Sequence, residues 1–117
     1  MPLRDPFFRT APFSEGEWRP AADVYRTPYG WFLKVELAGV ERGDLEVALE
    51  RNAVVLAGIR RDRIEEPECS CQSMEIAYSR FLRRIEFPEE VMGGRLEVDT
   101  RQGWVIVKII RSRSGGR

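Results

Sequence analysis

Residues 95–110 of the 117-residue chain read RLEVDTRQGWVIVKII, and this stretch predicts two β-strands with a turn between them. Leu96, Val98 and Thr100 alternate with charged residues, as they do in a strand that buries one face. Polar residues and a glycine follow at 101–103, and a second apolar run begins at Trp104. A period of two, and not a helical period, therefore governs this end of the chain.

The same period extends upstream and predicts an all-β fold. Residues 54–59 are apolar on both faces, which is typical of a central strand, and Arg51 and Asn52 before them suit a two-residue turn. No segment shows the i, i+3, i+4 stripe of an amphipathic helix, and there is no internal repeat. We predict an antiparallel immunoglobulin-like β-sandwich of six or more short strands. Apolar residues dominate alternate positions in three further segments, residues 31–37, 45–49 and 81–87.

Composition divides the chain into an arm, a domain and a tail. Residues 1–19 are interrupted by prolines and show no regular period, so we predict a short flexible N-terminal arm. The domain is expected to span residues 20–110, with a long polar connection at about 60–76. Residues 111–117 form a polar C-terminal tail.

Four large apolar side chains distinguish the arm from an ordinary disordered tail, which is poor in aromatic residues. They are Phe7, Phe8, Phe13 and Trp18. We interpret the arm as a mobile segment with adhesive rings. The alternative is that one or two of these rings pack on the domain.

Charge and composition exclude several classes of function. The 19 basic and 19 acidic residues balance, which argues against a nucleic-acid partner. The chain has no histidine, so His bases, His triads and His metal ligands are absent, and no glycine-rich phosphate loop is present. We therefore expect no enzyme activity and no cofactor. No signal peptide and no membrane-spanning run is seen, so we expect a cytoplasmic protein.

Cys69 and Cys71 are the only two cysteines, too few for a disulfide framework. Their C-x-C spacing leaves three interpretations: reduced thiols in a loop, a redox-sensitive pair, or thiolates that meet those of a second copy around zinc. The first is favoured, and no metal site within one chain is predicted. A thiol oxidoreductase would instead use C-x-x-C at the start of a helix.

Six segments, in order and at matching spacing, resemble the bacterial type of small heat-shock protein, a family that shares an alpha-crystallin domain. The resemblance covers about residues 20–111. Ala38, Val98 and Ile110 depart from the usual family residues, at turn and core positions that do not change the predicted fold. The segments are PAADVY at 20–25, AGV at 38–40, DLEV at 44–47, AGIR at 57–60, FLRRIEFP at 81–88 and VDTRQGWV at 98–105.

The resemblance implies an ATP-independent chaperone, a holdase that binds partly unfolded client proteins and suppresses their aggregation under stress. A holdase needs exposed apolar surface, and the arm offers it, so Phe7, Phe8, Phe13 and Trp18 are predicted to bind clients. The alternative is a co-chaperone or protein-binding module of the same sandwich type that recognises one folded partner.

The resemblance also implies a homodimer. In bacterial and plant members the long connection carries a short strand that pairs with the partner's edge. The matching residues here are Cys71, Gln72, Ser73 and Met74, and the acceptor strand contains Asp23, Val24 and Tyr25. The alternative is an unstructured loop. Ile76 stands where the family often has Arg, so one interface ion pair is expected to be missing.

Arg83 interrupts an otherwise apolar strand face and is costly there unless it is paired. In the family the matching Arg lies at the dimer interface and pairs with carboxylates. The alternative is a side chain that extends to solvent from a half-exposed sheet.

Val47, Leu49, Leu96 and Val98 match the residues that flank the groove in which the family docks an Ile-x-Ile tail motif. Residues 111–117 contain no such motif. We therefore expect assemblies smaller than the large shells typical of the family, built from dimers.

Overall fold

The structure, a computed structural model, describes residues 18–62 and 66–112. These residues form seven β-strands and one short 3-10 turn, Arg42–Asp44. The predicted all-β fold is confirmed. The strands are β1 Ala22–Thr27, β2 Gly30–Glu36, β3 Leu45–Glu50, β4 Ala53–Ile59, β5 Arg80–Glu86, β6 Arg95–Arg101 and β7 Trp104–Ile110.

The strands form two antiparallel sheets. One has four strands in the order β1-β2-β7-β6, and the other has three in the order β3-β4-β5. Residues 54–59, which are apolar on both faces, lie in β4, the central strand of the smaller sheet, as their pattern predicts. The stretch at 95–110 becomes the β6–β7 hairpin, with Arg101 opposite Trp104 and Leu96 opposite Ile109.

The β6–β7 turn illustrates why this sequence folds into a tight hairpin. Gln102 and Gly103 both have positive φ, 54° and 85°. Two positive φ values in a two-residue loop match the right-handed twist of the flanking strands. Arg51 and Asn52 also form a two-residue loop, between β3 and β4, as predicted, but neither has a positive φ.

The core consists of one layer of side chains between the sheets. Leu33 and Val35 of β2, Leu56 of β4 and Val107 of β7 are completely buried, and Phe81 of β5 is 1% exposed. They alternate with outward residues along each strand, which is the origin of the period seen in the sequence.

One end of the sandwich is closed by a polar cluster around Glu89. Its carboxylate accepts a hydrogen bond from Nε1 of Trp31 at 3.1 Å and lies 3.6 Å from the guanidinium groups of Arg26 and Arg111. Arg111 also donates to the carbonyl of Pro28. The cluster joins the β1–β2 turn, the segment after β5 and the end of β7.

The connection between β4 and β5 is the longest in the domain and spans residues 60–79. Its described part, 60–62 and 66–79, contains no strand. Arg60 ties its two ends together, because its amide donates to the Ser79 carbonyl and its Nε donates to the Ala77 carbonyl.

Gly58 in β4 faces the core, where a methyl group would not fit. An added Cβ would lie 2.1 Å from the Asp44 carbonyl oxygen and 2.9 Å from the Phe81 ring. We predict that Gly58→Ala lowers the free energy of unfolding by about 1–3 kcal/mol, as overpacked cores do. Urea unfolding followed by circular dichroism measures the change.

Gly43→Ala is the matched control, since an added Cβ at Gly43 meets nothing within 4 Å. Equal unfolding midpoints for the Gly58 and Gly43 variants would contradict the predicted close packing of β4.

Candidate interaction surfaces

β1 is an edge strand of the four-stranded sheet. It pairs with β2 from Ala22 opposite Val35 to Thr27 opposite Gly30, and its other edge has no strand partner within the described chain. Val24 and Tyr25 are 41% and 42% exposed. The predicted acceptor residues Asp23, Val24 and Tyr25 therefore lie on an open edge with apolar side chains beside it.

The predicted donor residues lie on the long connection and are all exposed. Cys71, Gln72, Ser73 and Met74 form no strand within one chain. Met74 and the nearby Ile76 are 57% and 59% exposed. Both segments of the predicted dimer contact thus present unpaired backbone together with exposed apolar side chains.

β1 and the connection between β4 and β5 hold most of the large apolar side chains that the described residues expose. Four of the six lie there, and the other two are Met92 and Trp104. Exposed apolar surface is therefore concentrated where the pairing was predicted, and not scattered over the sandwich.

Arg83 lies on the core-facing side of β5, between the buried Phe81 and Ile85 and opposite Leu56 of β4. Its Nη1 donates a hydrogen bond to the carbonyl oxygen of Pro20 at 2.6 Å. Its buried Nε has no hydrogen-bond partner within the described part of the chain. Burial, and then the positive charge of Arg19, lower the pKa of the Arg83 guanidinium.

This geometry gives Arg83 a role within one chain that the sequence did not reveal. It connects the edge strand β5 of one sheet to the residues that lead into β1 of the other.

Trp18 packs on the sandwich. Its ring contacts Phe81 edge to face, with centroids 5.3 Å apart, and the Arg60 guanidinium lies 3.6 Å from its centroid. Its amide donates to Oγ of Ser79. Of the two interpretations of the arm, Trp18 follows the one in which a ring packs on the domain. Phe7, Phe8 and Phe13 lie outside the described residues. Trp18 and Arg60 are 42 positions apart, so no local pattern predicts their contact.

The predicted groove residues are half-buried and pack against the core from the two remaining edge strands. Val47 and Leu49 lie on β3, and Leu96 and Val98 lie on β6. Arg83 connects β5 to the residues just before β1, so these two edge strands lie on one side of the sandwich. The other two edge strands, β3 and β6, lie on the opposite side. The four side chains are therefore on the same side of the sandwich.

The outer face of the four-stranded sheet carries a mixed aromatic and basic surface that sequence reasoning missed. Nζ of Lys34 lies 5.2 Å from the Trp104 ring centroid and 5.9 Å from that of Tyr25. Phe32 is 5.9 Å from Tyr25. The signal was present, because these residues occupy the outward positions of the same alternation that marks the core.

The two cysteines lie on the connection between β4 and β5. Both thiols are free and exposed. Within residues 18–62 and 66–112, no three His, Cys, Asp or Glu side chains are grouped as metal ligands. The same residues include no helix long and apolar enough to cross a membrane.

Comparison with known proteins agrees with the fold and the predicted family. Residues 23–116 match the model of the Hsp20/alpha crystallin family. Small heat shock protein C2 of Rickettsia felis is 23% identical over 92% of this chain and 72% of its own length. Spore protein SP21 of Stigmatella aurantiaca is 33% identical over 72% of this chain, and the matched region spans half of that relative.

Solved structures share the same sandwich. Heat shock protein 16.0 from Schizosaccharomyces pombe superposes with a TM-score of 0.72 at 24% identity, over 81% of this chain and 88% of that one. The hspA protein of Xanthomonas axonopodis gives a TM-score of 0.64 at 19% identity, over 81% and 95% of the two chains. With the family model matching residues 23–116, the chain belongs to the Hsp20/alpha crystallin family of small heat shock proteins.

Proposed function

We propose that this protein is an ATP-independent holdase of the cytoplasm that binds partly unfolded clients and acts as a homodimer or a small assembly of dimers. Membership of the Hsp20/alpha crystallin family carries the holdase activity, and the exposed apolar surface at the edges of a sandwich whose core is already filled carries the assembly. Four of the six large exposed apolar residues of the described chain lie on the β1 edge and on the connection. A stable fold with such surface is suited to binding other chains.

The dimer follows from the open edge of β1. Residues 71–74 of one copy pair with Asp23, Val24 and Tyr25 of the other, and two-fold symmetry repeats the contact. Each pairing adds backbone hydrogen bonds and covers Val24, Tyr25 and Met74, which are exposed in the single chain. The edge is protected in this way from uncontrolled aggregation.

Arg83 adds a polar contact to the same interface. Its Nη1 is occupied by the Pro20 carbonyl, but its buried Nε is without a partner in the described chain. A carboxylate of the second copy beside the Arg83 guanidinium would pair with its charge and offset the repulsion from Arg19.

Client binding is assigned mainly to the arm, through Phe7, Phe8 and Phe13. Burying one aromatic side chain contributes about 1.5–3 kcal/mol, so several ring contacts hold a client without a shaped pocket. Trp18 contributes less to client binding than a solvent-exposed ring would, because it is already packed against Phe81.

We predict that replacing Phe7, Phe8 and Phe13 by Ser leaves the domain folded and weakens suppression of client aggregation, because residues of the strands already form a filled core. Light scattering of a heated model client measures the effect at several chaperone ratios. Pro6→Ser with Pro12→Ser is the control, since it changes the arm and keeps the rings.

Unchanged suppression by the triple variant would place the client site on the sandwich. If the unmodified protein fails to suppress aggregation but binds a folded partner, the co-chaperone alternative replaces the holdase.

Proline substitution in the connection tests the proposed strand exchange. Proline cannot donate a backbone hydrogen bond, and alternate residues of an added strand direct their N–H groups to the partner. One of Gln72→Pro and Ser73→Pro should therefore weaken the dimer more than the other. Each lost bond is worth about 0.5–1.5 kcal/mol and is lost twice in a two-fold dimer, so we expect a dissociation constant raised about tenfold.

Sedimentation velocity over a dilution series measures this change. Ser70→Pro, in the same connection but outside 71–74, is the control. Dimers that are equally stable in all three variants would contradict strand exchange at this segment.

The third prediction concerns the groove between β3 and β6. A peptide with an Ile-x-Ile motif should bind there, because Val47, Leu49, Leu96 and Val98 are only partly buried. Nuclear magnetic resonance titration should shift amide signals of β3 and β6, and a Ser-x-Ser peptide should not. No saturable shift at millimolar peptide would mean that the groove is closed.

A further inference from the structure

The connection between β4 and β5 carries three sulfur-containing side chains around one hollow. Cys69, Cys71 and Met74 line one open hollow of about 470 Å³. Both thiols are free and exposed, and the Met74 side chain is 57% exposed although it is apolar. Two thiols and a thioether are thus presented to solvent on the same surface.

The local backbone explains why these three residues line the same hollow. Side chains two residues apart in an extended strand lie on the same face, and those three apart lie on opposite faces. Cys71 and Met74 would therefore point apart if the segment were extended. Here the segment is curled, with Sγ of Cys71 donating to the Ser73 carbonyl at 3.6 Å and Nε2 of Gln72 donating to Oγ of Ser70 at 3.0 Å.

The donor set indicates which metal would bind. Thiolate and thioether sulfur are soft ligands and select monovalent copper, whereas zinc sites in proteins use thiolate, imidazole and carboxylate. We infer that Cys69, Cys71 and Met74 form a copper(I) site on the surface of each chain. On binding, the two thiols release their protons to solvent and no electron is transferred.

The site also has a consequence for assembly, and this part rests on the proposed dimer. Pairing with β1 requires residues 71–74 to extend, which moves Met74 to the face opposite Cys71. Copper bound by all three sulfurs holds the segment curled. Because linkage is reciprocal, copper loading should weaken the strand-exchanged dimer, and dimer formation should weaken copper binding.

Copper binding is tested on the reduced full-length chain under anaerobic conditions, by titration with copper(I) against a colorimetric chelator. We expect one copper per chain and a thiolate-to-copper charge-transfer absorption in the ultraviolet. Cys69→Ser and Cys71→Ser should each abolish tight binding, and Met74→Leu should weaken it several-fold. Met92→Leu is the control, because Met92 is 59% exposed but lies on another loop.

Four results would overturn the site. They are equal affinity in the Met74 and Met92 variants, one copper for every two chains, equally tight binding of zinc, and retention of copper by the Cys69→Ser, Cys71→Ser double variant.

The coupling is tested by sedimentation of the same samples. Copper should shift the unmodified chain toward monomer and leave the double cysteine variant unaffected. An unchanged dimer fraction at full copper loading would overturn the coupling. Failure of the proposed function is distinguishable from failure of the copper site, because copper stoichiometry is measured without a client or a dimer.

Discussion

The thin core between two unequal sheets is the constraint on which the other features of this molecule depend. A single layer that includes Leu33, Val35, Leu56 and Phe81 fills the space between the sheets, with Gly58 admitting the Phe81 ring. Each sheet has two edge strands, β1 and β6 in the larger sheet and β3 and β5 in the smaller one. An open edge strand exposes backbone hydrogen-bond donors and acceptors. The interactive surfaces of the chain lie at those edges because the interior has no room for more side chains.

The two pairs of edges have different chemistry. On the β3 and β6 side, half-buried Val47 and Leu96 leave an apolar seam. On the β1 and β5 side, Arg83 spans the sheets and donates to Pro20. An apolar seam accepts aliphatic side chains, whereas a strand edge next to a buried guanidinium accepts backbone and carboxylate. The proposed tail-type ligand and the proposed second copy thus use different sides of one sandwich.

The structure shows the long connection without a strand in its described part, with Cys69, Cys71 and Met74 around one hollow. In the proposed dimer the same segment would extend and pair as a strand. Anchoring of Ala77 and Ser79 by Arg60 fixes where the connection returns to the fold, so the residues before it are able to change shape without disturbing β5. A segment with few packed contacts is where such a change costs least.

The sequence by itself determined the fold class, because alternation along 95–110 and the doubly apolar 54–59 are properties of single strands and need no knowledge of their neighbours. It also predicted the edge segment Asp23, Val24 and Tyr25, the groove residues and the dimer strand through family resemblance. Only the tertiary structure decided that Trp18 packs between Phe81 and Arg60, that Arg83 donates to Pro20, and that Met74 lines the same hollow as Cys69 and Cys71. The first two contacts join residues 42 to 63 positions apart, and the third depends on a turn within a polar loop. Such contacts are set by how the two sheets are stacked and how the loop is closed, and no periodicity along the chain encodes either.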